Sequence, residues 1–128
     1  MKGIHKLIIP GTLPGLNEYI DANRRKKYAG AAMKRQAEAA VMAAIKRQMR
    51  GLKLTRPVVL HYTWVEKDRR RDHDNVAFAQ KFVQDALVHA GVLKNDGWAQ
   101  VEGFTHAFRV DSKHPRVEVE LEEVGDRL

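Results

Sequence analysis

A chain of 128 residues, 44% of them hydrophobic, can bury one continuous core, so a single domain over 1–128 is expected. It has no cysteine, which excludes disulfides, thiolate metal sites and cysteine nucleophiles, and leaves carboxylate, imidazole or carbonyl groups to hold any metal. Its formal net charge of +7 favours polyanionic partners, nucleic acid first.

No run of about 18 apolar residues occurs, and the apolar stretch before Pro10 is too short for a signal peptide. A cytoplasmic protein without a membrane span is expected. Ile4 to Ile9 reads as a short strand, ended by the turn-rich segment PGTLPG, after which Asn17 is placed to cap a helix. From about 18 to 49, the residues Ala29, Met33, Ala37, Val41, Ala44 and Ile45 recur at helical spacing, predicting one long helix or two joined near Gly30, with Gly51 at the C-terminus. Basic residues crowd 24–50: Arg24, Arg25, Lys26, Lys27, Lys34, Arg35, Lys46, Arg47 and Arg50 stand there against Glu38 alone, whereas the chain from 118 onward is acidic. Such segregation is what a phosphate-binding face needs, although the same charges also serve as plain helix solvation. Arg24, Arg25, Lys26 and Lys27 are the candidate DNA contacts.

Pro57 to Glu66 is β-branched and aromatic, with Leu60, Tyr62 and Trp64 alternating, and predicts a strand central to the sheet. The charged stretch KDRRRDHDN follows. A helix is then predicted over 75–89, with Val76, Ala79, Phe82, Val83, Ala86, Leu87 and Ala90 in one apolar stripe and Gly91 as its stop. After the loop LKNDG, strands at about 98–110 and 116–122 are joined by DSKHP as an antiparallel hairpin; the second alternates Val117, Val119 and Leu121 with glutamates, so one face is wet. Trp64 and Trp98 read as core aromatics, and His61 and His106 as buried, hydrogen-bonded histidines. The order β-α-β-α-β-β predicts a mixed α/β (α+β) domain with about four strands and helices mainly on one face.

Chemistry concentrates at Arg69-Arg70-Arg71-Asp72-His73-Asp74-Asn75. If 72–74 stay extended, the carboxylates of Asp72 and Asp74 project to one side and His73 away from them. Two such acids at an open site suit Mg²⁺, which takes oxygen ligands and accepts one or two carboxylates plus substrate phosphate oxygens. Arg69, Arg70 and Arg71 are placed to hold a backbone phosphate. A plainer reading has Asp74 or Asn75 capping the next helix and the arginines forming a solvated loop.

The stretch RRRDHDN, then Gln80-Lys81, Asp85-Ala86-Leu87, Ala90-Gly91-Val92 and Asn95-Asp96, resembles the core signature of the RusA family of Holliday-junction resolvases. The resemblance implies a crossover junction endodeoxyribonuclease of recombination and repair that cuts branched DNA as a homodimer in a bacterial or phage-infected cell. It further implies a site for Mg²⁺, or Mn²⁺ in its place, on Asp72, Asp74 and Asp96, with Lys81 as the family's functional lysine. The spacing before Lys81 is about three residues longer than in the best-known members. Seven helical residues would still leave Asp74 and Lys81 on one face, about 10 Å apart; the alternative use of Lys81 is an i,i+4 ion pair with Asp85. Two rivals from other classes stand beside it: a non-enzymatic basic nucleic-acid-binding module, which needs the basic face but not the acids, and a structural or interaction protein, in which both are solvated surface.

Overall fold

The computed structural model describes residues 3–124. The elements in chain order are β1 (Ile4–Pro10), α1 (Leu16–Arg25), α2 (Ala29–Gln48), β2 (Val58–Glu66), α3 (His73–Ala77), α4 (Gln80–His89), β3 (Val101–Val110) and β4 (Arg116–Glu123). One four-stranded mixed sheet has the order β1-β4-β2-β3, with β2 parallel to β3 and antiparallel to β4. The α+β expectation therefore holds, and so does the central place of β2.

Alternation builds the core. Leu7 and Ile9 from β1, Leu60, Tyr62 and Trp64 from β2, and Val117, Val119 and Leu121 from β4 all lie on one face and are buried. They join Val41, Ala44 and Ile45 of α2 and Phe82, Val83, Ala86 and Leu87 of α4 in a single cluster. The opposite face stays wet: Glu118, Glu120 and Glu122 of β4 stand there beside Lys6, His61 and Thr63. Gln48 of α2 reaches the outer edge of β1, its amide accepting from Ile8 N at 2.8 Å and donating to Ile8 O at 2.7 Å. That occupies backbone groups which an edge strand otherwise leaves open.

Three expectations need correction. The last two strands do not pair with each other: β4 inserts between β1 and β2, and β3 takes the far edge. The cleaner apolar stripe, that of β4, gains most in the middle under the helices, whereas β3 has no buried side chain. Helix α1 starts at Leu16 with Gly15 as N-cap, so Asn17 lies inside it. The helix predicted over 75–89 is two, α3 and α4, linked through Phe78 and Ala79 by tight i→i+3 bonds such as Ala79 N to Val76 O at 3.2 Å. The long basic segment is two helices joined near Gly30, one of the two arrangements expected: they part at Lys26–Tyr28, where Tyr28 has φ 72°. Gly30 is buried inside α2, and a Cβ there would collide with the Asn23 side chain; it lets α1 come close rather than breaking the helix. Gly51 and Gly91 follow their helices with φ of 78° and 81°, as their positions predict. Among the described residues, no helix is long and apolar enough to cross a membrane.

Candidate active site

Strand β2 ends on Glu66, and the chain turns back through Arg69, Arg70 and Arg71 to enter α3. Arg71 fixes that turn. Its Nε and Nη2 donate to the two oxygens of Glu66, both at 2.8 Å, and its Nη1 donates to Glu18 at 2.8 Å and to Leu13 O at 3.0 Å. The Glu66 hydrogen bond is the main reason its pKa is raised further. The guanidinium thus ties the end of β2 to the start of α1, with little of it left for a ligand. Among the described residues Arg69 forms no ion pair, and Arg70 is exposed with a loose 3.6 Å contact to Asp68.

Asp72 is the N-cap of α3, extended at φ −69° and ψ 157°, and its carbonyl accepts from Val76 N at 3.0 Å. His73 and Asp74 are already helical, so the extended arrangement expected for 72–74 ends at Asp72. As a result His73 does not point away: it lines the same cavity as the two aspartates, stacked on Phe108 of β3 with ring centroids 3.9 Å apart. Asn75 neighbours these acids but serves the scaffold. It is the buried polar residue of the core, and its Oδ1 accepts from Asn17 N at 2.8 Å. That satisfies one of the open N–H groups at the start of α1, while Glu18 accepts from Gly15 N at 3.1 Å. A Cβ at Gly15 would lie 2.6 Å from Asn75 Oδ1, so glycine is required for the contact.

Asp72, His73 and Asp74 share a cavity of about 590 Å³ with Glu66, Asp68, Arg69, Arg71, Phe108 and Arg109. Both aspartates are exposed, and among the described residues neither forms an ion pair despite the neighbouring arginines. Asp74 Oδ1 accepts from Asn75 N at 2.9 Å. Two unneutralised carboxylates in so basic a chain are a hard oxygen donor set, the kind a divalent cation takes. Asp96 lies elsewhere, in a second cavity of about 590 Å³ with Gln84, Gly97, Trp98 and Phe104. Among the described residues, no three His, Asp or Glu side chains gather closely enough to hold a metal ion, so the structure does not bring Asp96 onto the Asp72–Asp74 pair.

A row of rings on the core side of β2 and β3 separates the two cavities. Tyr62 stacks on Trp64 and on His106, and His106 on Phe108. Trp64 Nε1 donates to His106 Nδ1 at 2.9 Å, so that nitrogen keeps its lone pair; desolvation lowers the His106 pKa in the same direction. Tyr62 donates its hydroxyl to Gln84 at 3.1 Å, and burial, reinforced by the charge of Asp96, pushes its pKa up. His61 and His106 are hydrogen-bonded as expected but half-buried. Trp64 is core at 1% exposure, whereas Trp98 falls in a turn and is 98% exposed, against expectation.

The remaining candidates lie apart from both cavities. Lys81 pairs with Asp85 at 3.4 Å, and Lys34 binds the other oxygen of the same carboxylate at 3.3 Å. The link at Phe78–Ala79 removes the continuous helix that would have placed Lys81 over Asp74. Arg24, Arg25, Lys26 and Lys27 are exposed and, among the described residues, form no ion pair; they ring the α1–α2 elbow beside a cavity of about 790 Å³ between the helices, with Lys27 Nζ 5.1 Å from the Tyr28 ring centroid. Sequence reasoning missed Phe108 and the approach of His73 to the acids. Alternation within 101–110, which puts Phe104, His106 and Phe108 on one face, carried part of that signal.

No curated protein matches the chain. The family described as endodeoxyribonuclease RusA matches residues 10–122, from the last residue of β1 into β4. That span includes both cavities and the ring row between them, and the chain belongs to the RusA family of endodeoxyribonucleases.

Proposed function

We propose that the protein is a crossover junction endodeoxyribonuclease, which hydrolyses phosphodiester bonds at four-way DNA junctions in recombination and repair. The observation that carries this reading is the pair Asp72 and Asp74, without an ion-pair partner among the described residues, inside an arginine-walled cavity of a chain in this family. Asp72 and Asp74 would hold Mg²⁺, or Mn²⁺ in its place, with Asp96 as the third carboxylate. When bound, such an ion supplies charge stabilisation to the scissile phosphate and a nucleophile from water. The donor chemistry fits a cation that takes one or two carboxylates plus substrate oxygens.

Arg69 and Arg70, with most of their donors unused, grip a backbone phosphate beside the acids, and Arg71 holds the turn that presents them. Lys81 is the family lysine in this reading. Because Lys34 also neutralises Asp85, Lys81 can leave that ion pair without stranding the carboxylate. Arg24, Arg25, Lys26 and Lys27 contact a junction arm. A four-way junction has approximate two-fold symmetry and two strands to cut, which a homodimer matches. The setting is the cytoplasm of a bacterial or phage-infected cell.

The test is Asp74→Asn against wild type on a synthetic four-way junction. Asparagine keeps the oxygen that accepts from Asn75 N but removes the charge, so folding persists. Wild type gives paired nicks only with divalent metal and cuts linear duplex far less; Asp74→Asn binds the junction but cuts at least roughly 100-fold more slowly. The specific rival is a junction-binding module without chemistry, favoured by the separation of Asp96 from the other two acids. Wild type that binds but never cuts with any divalent ion would establish it.

A further inference from the structure

Trp98 is 98% exposed, so neither face of its indole is covered by the protein. A tryptophan left bare forgoes a large burial gain, and the other tryptophan of this chain, Trp64, is fully buried. The bare ring stands in a particular place. It lines one cavity with Asp96, Gln84 and Phe104, and Phe104 is itself 47% exposed. Trp98 stands two positions after Asp96, with Gly97 between them, a span of at most about 7 Å, or two base steps at about 3.4 Å each.

We propose that Trp98 is a specificity-determining residue: it stacks on an unstacked nucleobase at the branch point, within about two base steps of the phosphate served by Asp96. The inference rests on the reading of Asp96 given above. Inside continuous duplex both faces of every base are covered by neighbours, so an indole finds no partner there. At a strand exchange the stack ends and a base face is open. A cavity walled by two aromatic side chains receives such a base. Selectivity for branched DNA then follows from a ring that gains its stacking only where the duplex is interrupted.

Two tryptophans, one buried and one bare, make the test direct. The full-length protein is titrated without divalent metal with a four-way junction and with linear duplex of the same arms. Tryptophan emission and affinity are read together. The junction quenches wild-type emission and the duplex does not. Trp98→Phe loses the quench but keeps the preference, and Trp98→Ala lowers the junction-to-duplex affinity ratio about ten-fold, the loss of one ring–base stack. Trp98 packs on nothing, so unchanged thermal unfolding of both variants is expected. If wild type prefers the junction and Trp98→Ala keeps that preference, this proposal fails while the junction reading stands. If wild type shows no preference, both fail. Emission that shifts with protein concentration in the absence of DNA, together with loss of self-association in Trp98→Ala, would assign the ring to a second copy of the chain and overturn the proposal.

Discussion

The two sides of β2 differ. Toward β4 and β1, the strands carry strict alternation and their inner face is sealed by α2 and α4. Toward β3, the same face continues as Phe104, His106 and Phe108, yet no side chain of β3 is fully buried. Both candidate cavities include residues of β3, and none of the acids proposed for chemistry lies on the sealed side. The first half is built for stability, and the second leaves aromatic and acidic groups open to a ligand.

The largest test of that division is a pair of truncations. Phe82→Ala in α4 removes a buried ring and should cost about 3–5 kcal/mol in chemical denaturation, whereas Phe104→Ala on β3 should stay within about 0.5 kcal/mol of wild type. Equal losses would mean that β3 is as much core as β2. Next comes Arg71→Ala, which acts where the halves meet. It strands Glu66 and frees the start of α1, for an expected loss of about 1–3 kcal/mol, and by loosening the turn it should also slow cleavage. Retained activity with the full stability loss would separate the strut from the site. The smallest effect belongs to His106. Its pKa is lowered in the fold, so the unfolded chain binds the proton more readily, and stability falls as pH drops below about 6.5. His106→Gln should flatten that decline in unfolding temperature between pH 7.5 and 5; an unchanged slope would assign it to other groups.

What sequence could reveal follows the same line. Val117, Val119 and Leu121 announced a strand with one wet face, and Phe82, Val83, Ala86 and Leu87 a buried helix stripe, because burial under helices enforces a period. Pairing order was not legible: alternation says which face is buried, not which neighbour lies alongside, and a short connection invited a hairpin that β2 interrupts. At the site, Asp72 and Asp74 stood out by spacing and by family signature. The capping of α1 by Asn75 was hidden, since the partners Asn17 and Asn75 are brought together only by the fold. Trp98 was misplaced for a related reason: residue type predicts burial on average, but a turn after Gly97 obeys no period.

The glutamates on the wet face of β4 have a consequence at long range. Glu118, Glu120 and Glu122 share one side of the sheet, while Arg24, Arg25, Lys26 and Lys27 and the cluster Lys46, Arg47 and Arg50 lie in α1 and α2 or directly beside their ends, with the helical layer. A body so divided carries a permanent dipole as well as its net charge of +7. A polyanion approaching it exerts a torque, turning the helical side inward and the glutamate side outward before the surfaces touch. Orientation is then partly settled during diffusion, raising the fraction of collisions that start in register. Because the field decays over about 8 Å at physiological ionic strength, added salt shortens the distance over which the molecule can turn to face its substrate.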